Sequence, residues 1–375
     1  QPAQPLRMSR QDANSDPASD LADLRELTAE MLVYEGPRGM LVGLVLEIVG
    51  ILERSAGFRI APGADVTLGG SNAGEGLAIS PEQAALCADQ PRRTAIFLRG
   101  VHAAIVQALA SSGEQTKPVH VLYAGSGPFA TLATPFMALF PPGEVRFTIL
   151  DIHAASIESV KSIVGRLQLE TSVASYVIGD ACQHTIPAGE VPDVIVSETM
   201  DAALETEPQV AIMRHLSNQA PDALLVPESV RVDAVLLDTS MEPNRIKPDL
   251  EDSIPEGSPG RIPFGPVFTL DAGAIHDWKD LTGDQLPAGS VVVPAAPGPH
   301  YEPFLFTTII TYGNHILRTH DCGLNAPRAF PADGDLTPGE TASFHYRLGE
   351  SPGLRYLRGG TGQADPTIQS ARGAP

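Results

Sequence analysis

From Val119 onward, short apolar runs alternate with helical patterns, and this alternation restricts the possible folds more than any other feature of the sequence. Apolar strands that alternate with helices form a parallel sheet with helices on both faces. The chain is therefore predicted to be an α/β protein built on a parallel, Rossmann-like sheet. The predicted strands are 119–124, 146–151, 174–179, 193–197 and a run at 224–226, and the predicted helices are 130–140, 155–167 and 207–219.

The segments before and after this alternation have a different character. About a hundred residues with mainly helical patterns precede the first strand, and a stretch rich in Pro, Gly and Asp follows Asp238. Apolar runs at 304–311 and 342–348 read as strands of a smaller β-rich domain. The predicted organisation is a disordered segment at 1–18, a helical region at 19–115 that acts as a lid or a dimer contact, the parallel-sheet domain at 116–238, and a β-rich domain at 239–375 with a loose tail from Gly359.

A glycine turn follows the first predicted strand, at Gly125-Ser126-Gly127. Glycine lets the backbone approach a ligand closely, and the N–H groups of a following helix could point at polar ligand atoms. Such a turn is weak evidence by itself, because many strand-to-helix turns use glycine. Further polar residues at the same edge of the predicted sheet would strengthen the prediction of a ligand site.

Polar side chains stand at the ends of successive predicted strands. These are Tyr123, Asp151, Asp180 and Glu198. Ligands of parallel sheets bind at the carboxyl ends of the strands, and an acid at the end of the second strand is suited to a ribose diol. The sequence thus predicts one pocket for a nucleotide-like ligand.

Composition limits the partners. The net charge is −20 and the chain has only four lysines, so nucleic acid and anionic membrane are not expected as partners. An acidic surface suits a cationic ligand, although it is also a common route to solubility. The apolar run at 40–52 carries Glu47 and reads as a buried helix. No secretory signal is recognisable, and the three cysteines have no disulfide or zinc spacing, which predicts a cytoplasmic protein without a metal site.

Residues 89–238 resemble the class I S-adenosylmethionine-dependent methyltransferases, and within them most closely the protein arginine methyltransferases. Gly125-Ser126-Gly127 is similar to the first motif of that family, and Arg93-Thr94-x-x-Phe97 is similar to its Arg-Thr-x-x-Tyr helix. The resemblance implies S-adenosylmethionine as the cofactor, with Arg93 at its carboxylate. It places the ribose at Asp151 and Ile152 and the adenine at Asp180 and Ala181.

The most specific part of the resemblance is the segment from Ser197 to Glu207. The arginine methyltransferases have a Ser-Glu-x-Met hairpin with a second glutamate nine positions after the first, and Glu198 and Glu207 have this spacing. Two carboxylates on a hairpin can hold a nitrogen nucleophile with its lone pair directed at an electrophilic carbon. Both glutamates are therefore predicted to be catalytic.

Three departures from that family keep a second chemistry open. Tyr123 replaces an acid before the glycine turn, Phe129 replaces the third glycine, and the Thr-His-Trp loop is represented at best by residues 276–278. Gly125-Ser126-Gly127-Pro128 also resembles the loop of nicotianamine synthases, which transfer an aminocarboxypropyl group, and azetidine-forming enzymes cyclise the same cofactor. Tyr123 would then lie at the methionine end of the cofactor and join the catalytic residues.

The expected activity is methyl transfer to a nitrogen of a small-molecule or peptidic amine. The alternative is aminocarboxypropyl transfer, or cyclisation of the cofactor, with release of methylthioadenosine. A non-catalytic binding module is a third option, and a homodimer is one oligomeric option. A nicotinamide-dependent dehydrogenase would share the strand–turn–helix pattern, but the full Gly-x-Gly-x-x-Gly pattern is absent because Ala130 stands at its last position.

Overall fold

The computed structural model describes residues 15–60, 65–72, 74–111, 117–242, 257–331 and 337–357. The helices are α1 (Pro17–Val33), α2 (Arg38–Ser55), α3 (Pro81–Cys87), α4 (Pro91–Ser111), α5 (Thr134–Leu139), α6 (Ala154–Arg166), α7 (Gln209–Gln219) and α8 (Ala272–Asp277). The strands are β1 (Ser71–Asn72), β2 (Leu77–Ala78), β3 (Val119–Ala124), β4 (Val145–Asp151), β5 (Val173–Ile178), β6 (Val194–Ser197), β7 (Leu224–Val226), β8 (Ser229–Asp238), β9 (Arg261–Asp271), β10 (Gln285–Val292), β11 (Tyr301–Tyr312), β12 (His315–Leu317), β13 (Arg328–Ala329), β14 (Thr341–Arg347) and β15 (Gly353–Leu357).

The predicted mixed α/β fold with a parallel sheet is confirmed. The sheet has five parallel strands in the order β5-β4-β3-β6-β7. All six residues of β3 are buried, as expected for a central strand with both faces covered. The chain moves outward from β3 to β5 and then returns to β6 on the other side of β3. This reversal of direction opens a crevice at the carboxyl ends of β3 and β6, where ligands of such sheets bind.

One predicted helix begins later than expected. Residues 127–133 form turns, and α5 begins only at Thr134, so the prediction of a helix from 130 was wrong at its start. Pro135 fits the first turn of a helix, and the Thr134 hydroxyl donates to the carbonyl of Phe129 at 3.0 Å, which stabilises the non-helical approach. Ala130 has a positive φ of 42°. The glycine turn is therefore not followed directly by a helix N-terminus.

The N-terminal helices belong to the same core as the sheet. Ser80 accepts a hydrogen bond from the N–H of Gln83 at 3.1 Å and caps α3. Helix α4 packs against β3, β6 and β7 of the parallel sheet and also against β11 and β12. Among the described residues, α4 is the one helix that is long and apolar enough to cross a membrane, but half of it is buried in the protein. That burial is typical of a core helix.

The β-rich part begins earlier than the predicted boundary at 238. Strand β8 pairs with β9 and β11 in an antiparallel sheet of order β12-β11-β8-β9, with β13 beside β11, so this part starts at Ser229. Pro227 separates β8 from β7 because proline cannot donate to a strand ladder. A second antiparallel sheet has the order β10-β14-β15. The Thr311 hydroxyl donates to the carbonyl of Ile96 at 3.0 Å and joins the β-rich part to α4.

The predicted ends of the chain are only partly described. Residues 1–14 of the predicted disordered segment and the predicted loose tail from Gly359 lie outside the described residues. Helix α1 begins at Pro17, capped by Asp16, and so includes the last residues of that predicted segment.

Candidate functional site

One cavity opens over the glycine turn at the carboxyl ends of the parallel strands. Every residue that the sequence assigned to a catalytic or cofactor-binding role lines it: Arg93, Tyr123, Gly125, Ser126, Gly127, Asp151, Ile152, Asp180, Ala181, Glu198 and Glu207. The polar residues predicted at the strand ends therefore face the same space. The rest of the lining is largely apolar.

The glycine turn forms the floor of this cavity with its backbone. Gly125 has a φ of +73°, and a Cβ there would lie 2.3 Å from Cγ2 of Thr199, so only glycine fits without a shift. Gly127 has a φ of +61°. The N–H of Gly125 donates to the carbonyl of Leu150 at 2.9 Å, which continues the pairing of β3 with β4 into the turn.

Asp151 holds the glycine turn against the end of β4. Its Oδ2 accepts from the N–H of Gly127 and its Oδ1 from the N–H of His153, both at 2.8 Å. The carboxylate is buried but lines the cavity. Each carboxylate oxygen can accept a second hydrogen bond, so Asp151 can also accept from a diol.

Asp180 shapes the loop after β5. Its Oδ1 accepts from the N–H of Cys182 and its Oδ2 from Nε2 of Gln183, both at 2.8 Å. These bonds form a tight local turn, and they leave Ala181 buried at the cavity wall. The loop therefore presents a carboxylate and backbone groups to a ligand.

An ion pair crosses the cavity between α4 and the end of β6. The Arg93 guanidinium donates to Oε2 of Glu198, and the exposed fractions of the two side chains are 9% and 11%. Burial lowers the pKa of Arg93, but the Glu198 carboxylate and the neighbouring Cys87 and Cys322 together outweigh burial, so the pKa is raised and the guanidinium stays charged. Burial raises the pKa of Glu198, and Arg93 opposes this shift. Oε1 of Glu198 is buried without a hydrogen-bond partner among the described residues, which leaves one unsatisfied acceptor on a residue that lines the cavity.

The neighbouring Arg92 has a different role. It forms an ion pair with the buried carboxylate of Asp321 at 2.7 Å, and it does not line the cavity. Adjacent arginines on α4 thus point to different partners, and Arg93 is the one that reaches the candidate site.

Glu207 and Tyr123 complete the polar lining near Glu198. Burial, together with the carboxylates of Glu198 and Asp201, raises the pKa of Glu207 to about 8. Burial and the carboxylates of Glu198 and Asp151 raise the pKa of Tyr123, whose hydroxyl stays protonated. The cavity therefore combines a carboxyl group whose pKa is about 8 with a neutral hydroxyl.

Gln209 fixes the strand end that carries Glu198, a role that the sequence did not predict. The side chain is fully buried at the start of α7. Its Oε1 accepts from the N–H and the hydroxyl of Thr199 at 2.8 and 3.0 Å, and its Nε2 donates to the carbonyl of Ser197 at 3.0 Å. One carboxamide thereby satisfies the backbone on both sides of Glu198.

The wall opposite the sheet belongs to the helical region at 19–115, for which the sequence predicted a lid or a dimer contact. It comes from the segment before and along α3: Ala78, Ile79, Pro81, Ala84, Cys87 and Ala88. The Ser80-Pro81 start of α3 was recognisable, but the sequence did not distinguish α3 from the rest of that region as the helix that lines the cavity. Burial raises the pKa of the Cys87 thiol, which argues against a nucleophilic role.

The residues nearest to a Thr-His-Trp loop do not belong to the cavity lining. Trp278 follows α8 and stacks on Phe268 with ring centroids 5.5 Å apart, and Arg214 donates to its carbonyl at 2.9 Å. Phe129, which replaces the third glycine, is buried and packs against Phe58.

No protein-family model matches the chain, and no curated protein matches its sequence. Within the described ranges, no group of three or more His, Cys, Asp and Glu side chains forms a candidate metal site.

Proposed function

We propose that the chain is an S-adenosylmethionine-dependent transferase, with a Rossmann-like methyltransferase sheet, that methylates a nitrogen of a small-molecule or peptidic amine. The observation that carries this proposal is the meeting of four features in one cavity: the glycine turn, Asp151, Asp180 and Glu198. A cavity at the reversal point of a parallel sheet is the usual place for a nucleotide-like ligand.

The residues present fit such a cofactor. Gly125 and Gly127 line the cavity with backbone alone, and Asp151 and Asp180 can accept from hydroxyl and amino groups. By the family resemblance, Asp151 and Ile152 would hold the ribose, and Asp180 and Ala181 the adenine. Arg93 would hold the carboxylate while keeping its contact with Glu198. When bound, the cofactor supplies an electrophilic carbon next to a sulfonium.

The two glutamates would act on the acceptor. The unpartnered Oε1 of Glu198 can accept an N–H of an amine and so orient the nitrogen lone pair. Glu207, in its ionised form, can accept the proton that the amine loses. Because the pKa of Glu207 is about 8, this second role requires neutral to mildly basic pH.

Tyr123 favours the second candidate, aminocarboxypropyl transfer or cyclisation. A buried neutral hydroxyl stands where the methyltransferases have an acid, so the methionine end of the cofactor would have different surroundings. The products separate the two chemistries, since methyl transfer releases S-adenosylhomocysteine and the alternative releases methylthioadenosine.

The test is to incubate the protein with S-adenosylmethionine, alone and with a mixture of amino acids and polyamines, and to identify the products by mass spectrometry. Calorimetry gives the cofactor affinity in parallel. Glu198→Gln should keep cofactor binding and lose turnover. Glu205→Gln is the matched control, because Glu205 lies in the same loop but outside the cavity lining. Absence of cofactor binding by the unmodified protein would overturn the proposal.

A cytoplasmic location and an amine partner are part of this proposal. All three cysteines are free thiols, in keeping with a reducing compartment. A homodimer stays a prediction.

A further inference from the structure

The loop between the two glutamates has a backbone that its own sequence does not favour. Ala203, Leu204 and Thr206 have φ values of 61°, 58° and 56°, although none of them is glycine. Non-glycine residues in this left-handed region cost about 1–3 kcal/mol each and persist only when their surroundings hold them there. Three such residues within four positions therefore indicate an external support.

That support comes from the β-rich part of the chain. The N–H of Ala203 donates to Oγ1 of Thr307 on β11 at 2.9 Å, and the hydroxyl of Tyr346 on β14 donates to the carbonyl of Leu204 at 2.7 Å. Thr307 and Tyr346 are both fully buried. Thr307 is fixed in turn, because the buried Asn325 donates to its carbonyl at 2.8 Å.

The far end of the loop has a separate contact. The carbonyl of Thr206 accepts from the N–H of Leu77 at 2.8 Å, and the residue after Thr206 is Glu207. Gln209 holds the backbone around Glu198, as described above. The positions of the two glutamates thus depend on different supports, and the loop contacts act on Glu207.

We propose that Thr307 and Tyr346 are positioning residues that hold the 201–206 loop in its left-handed conformation and so place Glu207 opposite Glu198 in the cavity. The effect of these two residues on catalysis rests on the proposed function, whereas the placement of Glu207 does not. The β-rich part would then serve the site of the parallel-sheet part without contributing a side chain to its lining. Neither residue touches the cavity, so both would act through the loop.

The primary test is the titration of Glu207, followed by carbon-13 NMR of the glutamate carboxyl groups and assigned with Glu207→Gln. In the unmodified protein Glu207 should titrate near pH 8. In Thr307→Val and in Tyr346→Phe its pKa should fall towards the ordinary value, because a displaced Glu207 meets water. Thr307→Ser keeps the hydroxyl and should restore the original titration.

A buried threonine and a half-buried tyrosine provide matched controls. Thr311 lies on the same strand as Thr307, but its hydroxyl bonds to Ile96 and His315. Tyr356 lies on β15, and its hydroxyl donates to Glu340. Thr311→Val and Tyr356→Phe should leave the titration of Glu207 unchanged. An unchanged pKa in both loop variants, or an equal shift in the controls, would overturn the inference.

Amide exchange and turnover give two further readouts. Thr307→Val removes the acceptor of the Ala203 N–H, so exchange there should rise by about tenfold. If the proposed function holds, turnover in both loop variants should fall by about 10- to 100-fold with cofactor affinity unchanged. A protein that binds no cofactor would refute the proposed function alone, since the titration of Glu207 still decides the positioning role. Normal turnover in a variant with a displaced Glu207 would overturn the catalytic consequence.

Discussion

Replacing Gln209 with methionine tests how the end of β6 is held. Methionine has a similar length, but it donates no hydrogen bond and is only a weak acceptor. The three hydrogen bonds to Ser197 and Thr199 are therefore lost together. The Ser197 carbonyl and the Thr199 N–H lose their partners, at a cost of about 1–3 kcal/mol each for buried groups. Since burial of the apolar methionine side chain offsets part of this cost, we expect the free energy of unfolding to fall by about 2–4 kcal/mol.

The assay is urea unfolding combined with cofactor binding and turnover, and the control is Gln219→Met. Gln219 lies on the same helix, and its carboxamide bonds to Ile186 and His184 at 3.0 and 2.9 Å, away from the cavity. Both variants should lose stability, but only Gln209→Met should also lower turnover, because it frees the backbone that carries Glu198. A loss of under about 1 kcal/mol in Gln209→Met would refute the account of a buried, satisfied carboxamide. Equal turnover in the two variants would refute the link to Glu198.

Three further predictions follow from the same cavity. Gly125→Ala should lower the free energy of unfolding by about 2–4 kcal/mol, because the left-handed backbone is strained and the new Cβ contacts Thr199 too closely. Gly127→Ala should lower it by only about 1–2 kcal/mol, and equal losses in urea unfolding would contradict this prediction. Because the folded-state pKa of Glu207 is raised, its stabilising effect is complete below pH 4.5 and is lost as the pH rises to about 8. Glu207→Gln should remove this part of the pH dependence of the free energy of unfolding, and an unchanged pH dependence would contradict the prediction. Arg93→Met leaves the buried Glu198 carboxylate unpaired and should lower the free energy of unfolding by about 3–5 kcal/mol, whereas adding Glu198→Leu should restore most of this loss. A double variant that is as unstable in urea as the single variant would contradict the ion pair.

The parallel sheet could be predicted because its strands are short, apolar and separated by helices. Burial on both faces makes such strands continuous apolar runs, and the five predicted runs correspond to β3–β7 with ends displaced by a residue or so. The polar residues at the strand ends could be predicted for the same reason, since parallel strands bring their carboxyl ends to one edge.

The strands of the β-rich part were harder to predict because prolines and glycines interrupt their alternation. Strand β9 contains Pro263, Gly265 and Pro266, and its pairing with β8 shifts register twice. Such irregular strands are stabilised by neighbours that are distant in sequence rather than by a local pattern. The predicted domain boundary follows the change of composition after Asp238, whereas β8 before it already pairs with β9 and β11.

The supports of the site could not be predicted because each depends on a contact between distant parts of the chain. Arg93 and Glu198 are separated by 105 positions, and Tyr346 and Leu204 by 142. The sequence identifies the residue types suited to the chemistry, but the partners that fix their orientation arise from the packing of α4, α7 and the β-rich part. The predicted role of Arg93 at a cofactor carboxylate did not include its ion pair with Glu198.

The different partners of the two glutamates suggest different roles for them. Both carboxyl groups are removed from water, which raises the pKa of each, but only Glu198 contacts a guanidinium that opposes this shift. Near neutral pH Glu207 is therefore largely protonated, whereas the ion pair with Arg93 favours the charged form of Glu198. Two carboxyl groups whose environments give them different pKa values can take different roles, so that one accepts a hydrogen bond and the other takes up a proton. In the proposed reaction, Glu198 would orient the amine through its unpartnered Oε1, and Glu207 would become a proton acceptor only as the pH approaches 8.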